Sequence, residues 1–202
     1  MVTDRNDFYL YFIYVGGLVA GSLIRVLSSR KYGNFKAETN RASAADTFFL
    51  SLLFVAMGVV PFAYFLFPLF DPLNYTLPLW AGIPGTLILI SSLLLLWRSH
   101  KDLSSNWTIS VSLRSEHTLI TKGVYSKIRH PIYASHWLWA IAQPLLLHNW
   151  IAGFAMIVVM FPFYFYRVPR EEQMMIERFG DRYREYIKRT GGVWPSTQQS
   201  RP

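Results

Sequence analysis

Residues 47–70 read TFFLSLLFVAMGVVPFAYFLFPLF, twenty-four consecutive positions without a charge. A helix that crosses the roughly 30 Å hydrocarbon core of a bilayer needs about 20 mostly apolar residues. This stretch meets that length, and four more accompany it: Phe8–Ile24, Pro78–Trp97, Ile132–Leu147 and Trp150–Tyr166. Ile132–Leu147 is shorter than the others and carries Ser135, His136 and Gln143. Only His148 and Asn149 separate it from the last run, which predicts a tight helical hairpin. Pro61 and Pro68 fall inside the second run, where neighbouring helices can re-satisfy the freed carbonyls. Gly17 and Gly21 form a GxxxG pair that permits close helix approach, and ordinary intramolecular packing is the reading preferred over a dimer interface. The expected architecture is all-α: an integral membrane helical bundle of about five transmembrane helices with a C-terminal amphipathic cytoplasmic helix.

The rest of the composition agrees with lipid as the solvent. Of 202 residues, 52% are hydrophobic and only 16% charged, with mean hydropathy +0.22. A soluble domain carries about a quarter charged residues. The net charge of +8 would suit a nucleic-acid binder, but such a protein places its Lys and Arg on a polar domain, and this chain has none. The basic excess reads instead as a topology signal and an attraction to anionic lipid. Segment 25–46 holds Arg25, Arg30, Lys31, Lys36 and Arg41, segment 98–131 holds six more Lys or Arg, and the chain after Tyr166 holds eight. In a five-span layout 19 of the 20 basic residues therefore fall on one side. By the positive-inside rule that side is the cytoplasm and the N-terminus lies outside. The first span has Arg5 between Asp4 and Asp7 before it and no small-residue cleavage site after it, so it reads as a retained helix. The absence of cysteine excludes disulfides, thiolate metal sites and a Cys nucleophile.

Beyond Tyr166, Pro169 predicts a kink or a fresh helix start. From Glu171 to Arg189 the recurrence of Met175, Phe179, Tyr183 and Tyr186 predicts an amphipathic helix near the membrane surface. The organisation expected is an N-terminal membrane part over 1–115, a catalytic region with the helical hairpin over 116–195, and a disordered tail over 196–202.

Candidate chemistry is narrowed first by exclusion. No GxGxxG follows a strand, no nucleophile elbow is present, and neither HExxH nor a carboxylate cluster offers metal spacing. Two polar groups remain at the basic end of the spans: His117–Tyr133, and Arg167 with Glu171 and Glu172. Each residue has a plain structural reading. Arg129 and His130 serve as anchors, Pro131 as a helix start, Tyr125 and Tyr133 as belt aromatics, and the glutamates as helix-end charges. Arg167 and Glu171 share one helical face if the helix continues through Pro169.

Taken together, the run HTLITKGVY (117–125), RHPIY (129–133), Arg167, Glu171-Glu172, Phe179-Gly180, Tyr183 and Tyr186 resembles the isoprenylcysteine carboxyl methyltransferase family. Ser135 departs from the Gly that this family often carries two residues after the motif Tyr. The resemblance implies a methyltransferase that uses S-adenosylmethionine and esterifies the carboxylate of a prenylated cysteine or a similar lipid. It implies cofactor contacts at His117, Thr118, Leu119, Ile120, Tyr125, His130, Pro131, Tyr133 and Glu171, with Arg167 holding the substrate carboxylate. The partners implied are a lipid-like substrate whose prenyl tail enters from the membrane and the membrane lipids themselves, with no nucleic acid and no metal. Phospholipid N-methyltransferases and sterol reductases share related features, so N-methylation of a lipid amine, NADPH-dependent reduction and a non-catalytic lipid-binding role stand beside it.

Overall fold

The computed structural model describes residues 8–32, 39–40, 43–103, 112–113 and 118–196. Its α-helices are α1 (Phe8–Tyr32), α2 (Ala44–Phe54), α3 (Val60–Leu66), α4 (Gly82–Leu103), α5 (Pro131–Leu146), α6 (Trp150–Phe179) and α7 (Asp181–Arg189). A π-helical turn, Val55–Val59, joins α2 to α3, so that Ala44–Leu66 forms one span. Among the described residues, four helices are long and apolar enough to cross a membrane: Phe8–Lys31, Ala44–Leu66, Leu79–Leu103 and Trp150–Phe179. The fifth expected helix, α5, is present but has 16 residues. At 1.5 Å per residue it measures about 24 Å, short of a full crossing. It compensates by being enclosed. It packs most extensively against α4 and then α6, and Trp139, Ala140, Ala142 and Gln143 are all but fully buried. Large apolar side chains such as Phe12, Leu23, Phe62, Leu87, Val158 and Phe165 point outward instead, as lipid-facing surface does. The protein is an integral membrane helical bundle.

Lipid tails are as apolar as Leu, so small residues and interhelical hydrogen bonds hold such a bundle together. Gly17 lies so close to α4 that a Cβ there would stand 2.7 Å from a Leu89 methyl, and Gly21 faces Trp139 and Leu93. The GxxxG pair therefore serves packing within the chain. The second span shows the polar part of the argument. Pro61 has no N–H to give Met57 O, and the phenol of Tyr14 from α1 supplies a donor at 2.7 Å. Val60 N–H bonds back five residues to Val55 O, which strands Ala56 O. The amide of Gln143 on α5 fills that position at 3.1 Å and also donates to Ala152 O on α6 at 2.6 Å. Gln143 Oε1 stands 3.1 Å from the Tyr14 hydroxyl, and Trp139 donates to that hydroxyl at 3.3 Å. One buried knot thus ties α1, the π turn, α5 and α6.

The two ends of the bundle differ as the charge sorting requires. At one end, the turn His148-Asn149 closes the α5–α6 hairpin, with Asn149 Oδ1 accepting from Ile151 N and Ala152 N, both at 3.0 Å. Its amide nitrogen donates to Phe70 O and Asn74 Oδ1, so the two connections without Lys or Arg meet there. At the other end, β1 (Thr39–Asn40) pairs antiparallel with β2 (Ser112–Leu113) and joins the two basic connections.

The helix boundaries after Tyr166 differ from expectation. Pro169 does not interrupt α6, which runs unbroken from Trp150 to Phe179. The break falls at Gly180, whose φ of +55° L side chains rarely adopt, and α7 begins at Asp181. The amphipathic segment is therefore two elements, and the spanning helix projects about three turns beyond Tyr166.

Candidate active site

Continuity through Pro169 is what makes the site. It keeps Arg167 and Glu171 on one face, where Arg167 Nε donates to Glu171 Oε1 at 2.8 Å. Pro131 opens α5, with His130 at its N-cap position and Tyr133 one turn on. Tyr133 donates to the same Glu171 oxygen at 2.6 Å. Glu171 Oε2 makes no hydrogen bond among the described residues. Glu172 is rotated about 100° from Glu171 around the helix, so it faces different partners. It takes His130 Nε2 at 2.9 Å and Arg129 Nε at 3.0 Å. Arg129 in turn donates to the carbonyls of Ile187 and Thr190, while its backbone N–H bonds Gly191 O at 2.8 Å and that of His130 bonds Gly192 O at 3.0 Å.

A short 3₁₀ turn, Gly123–Ser126, presents Tyr125 beside this pair of helices. Gly123 has φ of +62°, and Asp102 at the end of α4 accepts from Val124 N at 2.8 Å and from Arg98 Nε at 3.0 Å. Tyr125 is buried, and its carbonyl accepts from the Tyr186 hydroxyl of α7. Burial pushes the phenols of Tyr125, Tyr183 and Tyr186 up, so all three are neutral hydroxyls at neutral pH.

These groups border one cavity of about 470 Å³. That lies inside the 300–1,000 Å³ range of small-molecule sites. Thr118, Leu119, Ile120 and Tyr125 line it from the α4–α5 connection, His130, Pro131 and Tyr133 from α5, and Arg167 and Glu171 from α6. Eight of the nine residues expected to contact a cofactor are thus brought together with Arg167. The ninth, His117, lies outside the described residues. Ser135 does not line the cavity. It is buried; its carbonyl accepts from Ser92 Oγ of α4 at 2.7 Å, and its own hydroxyl donates back to Ile132 O within α5 at 2.7 Å.

The opposite wall is apolar and comes from the first half of the chain: Leu18 and Gly21 of α1, Leu50 of α2, and Met57 and Gly58 of the π turn. Helices α1 and α2 barely touch each other. Phe54, 69% exposed, belongs both to the cavity wall and to the outer surface. Sequence reasoning missed Glu172 as the partner of His130, Asp102 as the support of the Gly123 turn, and Arg25, which also lines the cavity. Adjacency to Glu171 was the signal for the first. The others depend on contacts between distant segments.

Residues 85–177 match the sequence model described as the isoprenylcysteine carboxyl methyltransferase family. Through this region the chain is similar to that family. Among its relatives, the protein-S-isoprenylcysteine O-methyltransferase of Schizosaccharomyces pombe is 34% identical over 74 residues, 37% of this chain and 31% of that protein. Form B from Arabidopsis thaliana is 36% identical over 81 residues, covering 40% of this chain and 41% of the relative. The human protein of the same name is 32% identical over 112 residues, 54% of this chain and 39% of its own. The matched stretch thus spans less than half the length of each of these curated relatives. A solved structure of the eukaryotic intramembrane Ras methyltransferase, isoprenylcysteine carboxyl methyltransferase, aligns with a TM-score of 0.53 and 24% identity over 78% of this chain and 54% of that one. It shares the membrane fold. The family match begins inside α4 and ends in α6, so it contains both halves of the polar wall.

Proposed function

We propose that this protein transfers a methyl group from S-adenosylmethionine to the carboxylate of a prenylated cysteine or a similar lipid-borne carboxylate, at the cytoplasmic face of the membrane. The observation that carries this reading is a cavity with two unlike walls, one polar and at the basic end, one apolar and built from α1, α2 and the π turn. The residues present fit the cofactor. Glu171 keeps one carboxylate oxygen uncommitted for hydroxyl or amino donors, and Tyr125 and Tyr133 supply aromatic faces beside it. His117, Thr118, Leu119, Ile120, His130 and Pro131 complete the group of residues that would hold it. When bound, it would supply a sulfonium methyl that an ionised carboxylate takes without a general base, the carbon–sulfur bond breaking as the carbon–oxygen bond forms.

The chain's own contribution is then orientation, exclusion of water and a fixed positive charge. Arg167, only 5% exposed, is fixed through Nε by Glu171 and faces the acceptor's carboxylate. A planar guanidinium suits that role better than an ammonium. The gap beside Phe54 lets a prenyl tail remain in lipid while its head enters. The positive-inside rule applied to the basic connections supports a cytoplasmic orientation for this end, on the side of the water-soluble cofactor.

The test is a titration of detergent-solubilised protein with S-adenosylmethionine and with NADPH, followed by methylation of N-acetyl-S-farnesylcysteine and of phosphatidylethanolamine. The expected result is saturable binding of S-adenosylmethionine alone and methylation of the acid alone. Glu171→Gln should weaken cofactor binding roughly ten- to a hundredfold, the value of a charged hydrogen bond. Arg167→Ala should retain binding and lose about 10² to 10³ in rate. Binding of NADPH, or methylation restricted to the amine lipid, overturns the reading.

A further inference from the structure

Arg25 lines the cavity from α1, half-buried, and among the described residues its guanidinium makes neither a hydrogen bond nor an ion pair. Its neighbours in charge are all engaged: Arg129 with Glu172, Arg167 with Glu171, and Arg170 with Asp46. Arg25 also stands within electrostatic reach of Arg167, a like charge, and of the Tyr133 phenol. Among the described residues three guanidiniums line the cavity, those of Arg25, Arg129 and Arg167; Glu172 offsets Arg129 and Glu171 offsets Arg167, which leaves one positive charge over. An ionised group held in a membrane helix is costly unless it pairs or reaches water. A monoanionic ligand balances this cavity.

Position decides which anion. Gly21 and Leu18 lie one and two turns back along α1 and line the same cavity, with Met57 and Gly58 across from them. A Cβ built on Gly58 meets nothing within 4 Å, so that wall is open space. A head group at Arg25 therefore has an apolar track leading directly away from it. The α4–α5 connection expected to hold the cofactor comes from a different part of the chain, Thr118–Ile120.

We propose that Arg25 grips the carboxylate of the methyl acceptor, whose apolar tail then lies along Gly21, Leu18 and the π turn. This rests on the methyl-transfer reading for the identity of the acceptor. A carboxylate is also carried by the methionyl part of the cofactor, and the experiment separates the two sources.

The experiment measures equilibrium binding of N-acetyl-S-farnesylcysteine, of its uncharged C-terminal amide and of S-adenosylmethionine, each to the parent, Arg25→Gln and Arg25→Lys in detergent. The parent is expected to prefer the acid over the amide roughly ten- to a hundredfold, the value of a charge-assisted contact. Arg25→Gln should lose most of the acid preference, keeping only what Arg167 contributes, leave amide affinity within about twofold, and leave cofactor affinity within about twofold. Arg25→Lys should restore part of the preference, since it keeps the charge but not the fork. Equal binding of acid and amide by the parent overturns the proposal, as does an acid preference that is undiminished in Arg25→Gln. Weakened S-adenosylmethionine binding with acceptor binding intact also overturns it and assigns Arg25 to the cofactor. Because acid preference is read from binding alone, a parent that shows it but transfers no methyl group would sink the enzymatic reading and leave the anion site standing.

Discussion

Replacement of Gly123 by Ala tests whether the turn under Tyr125 is a working part of the site. The backbone there has φ of +62°, and a Cβ would stand 2.0 Å from Asp102 Oδ2. A non-glycine residue in such a region costs about 1–3 kcal/mol. Asp102 must also swing away, which breaks its 2.8 Å bond from Val124 N and its 3.0 Å contact with Arg98. A hydrogen bond to a charged group contributes about 1.5–3 kcal/mol. The two effects together give a loss of about 2.5–6 kcal/mol. Gly180→Ala provides the contrast. Its φ of +55° is equally unusual, but nothing lies within 4 Å of the added Cβ, so only the backbone cost of about 1–3 kcal/mol applies. Asp102→Ala removes the clash in advance, so Asp102→Ala/Gly123→Ala should cost less than the sum of the single variants. The assay is thermal unfolding in detergent together with S-adenosylmethionine titration, because Tyr125 rides on this turn and lines the cavity. Gly123→Ala matching the parent within about 0.5 kcal/mol, or strict additivity of the pair, would refute the reasoning.

Two further outcomes are expected. Gln143→Leu removes the donor to Ala56 O and Ala152 O and the acceptor near Tyr14, and at about 0.6–1.7 kcal/mol per bond in a membrane it should cost about 2–5 kcal/mol. A denaturation midpoint equal to the parent's would show that the π turn stands without it. Reporter fusions after Arg41, Asp71 and Arg189 should read cytoplasmic, external and cytoplasmic, and a cytoplasmic signal at Asp71 is the result that reverses the orientation.

The spans were legible because crossing a bilayer imposes a length and a composition that residues 47–70 display without reference to any other part of the chain. The α5–α6 hairpin was legible for the same local reason, since two polar residues between apolar runs leave no room for another connection. The π turn was not. Pro61 announces a missing donor, but whether the helix bends, breaks or is repaired depends on Tyr14 and Gln143, which arrive from other helices. Pro169 failed as a boundary signal on similar grounds, since α6 continues through it to Gly180. In the site, the motif residues from Thr118 to Tyr133 converge as the family resemblance implied. Adjacent glutamates, by contrast, look alike in sequence and only the helix rotation assigns Glu171 to Tyr133 and Glu172 to His130. Arg25 was counted as one more positive charge at the basic end. A topology rule sorts charges by side and cannot tell a cation at the interface from one facing inward.

The backbone bonds from Arg129 to Gly191 and from His130 to Gly192 also set an order of events during synthesis. The partners in each bond are 62 residues apart in the chain. At 5–20 residues per second the ribosome needs roughly 3–12 s to travel that distance. Late in that interval α5 has been made and can already sit in the bilayer, while the segment that braces its N-terminus has yet to be made. Membrane insertion and completion of the pocket are therefore separate milestones in biogenesis, and a ribosome stalled short of Gly192 leaves an inserted protein whose His130 backbone is still unclasped.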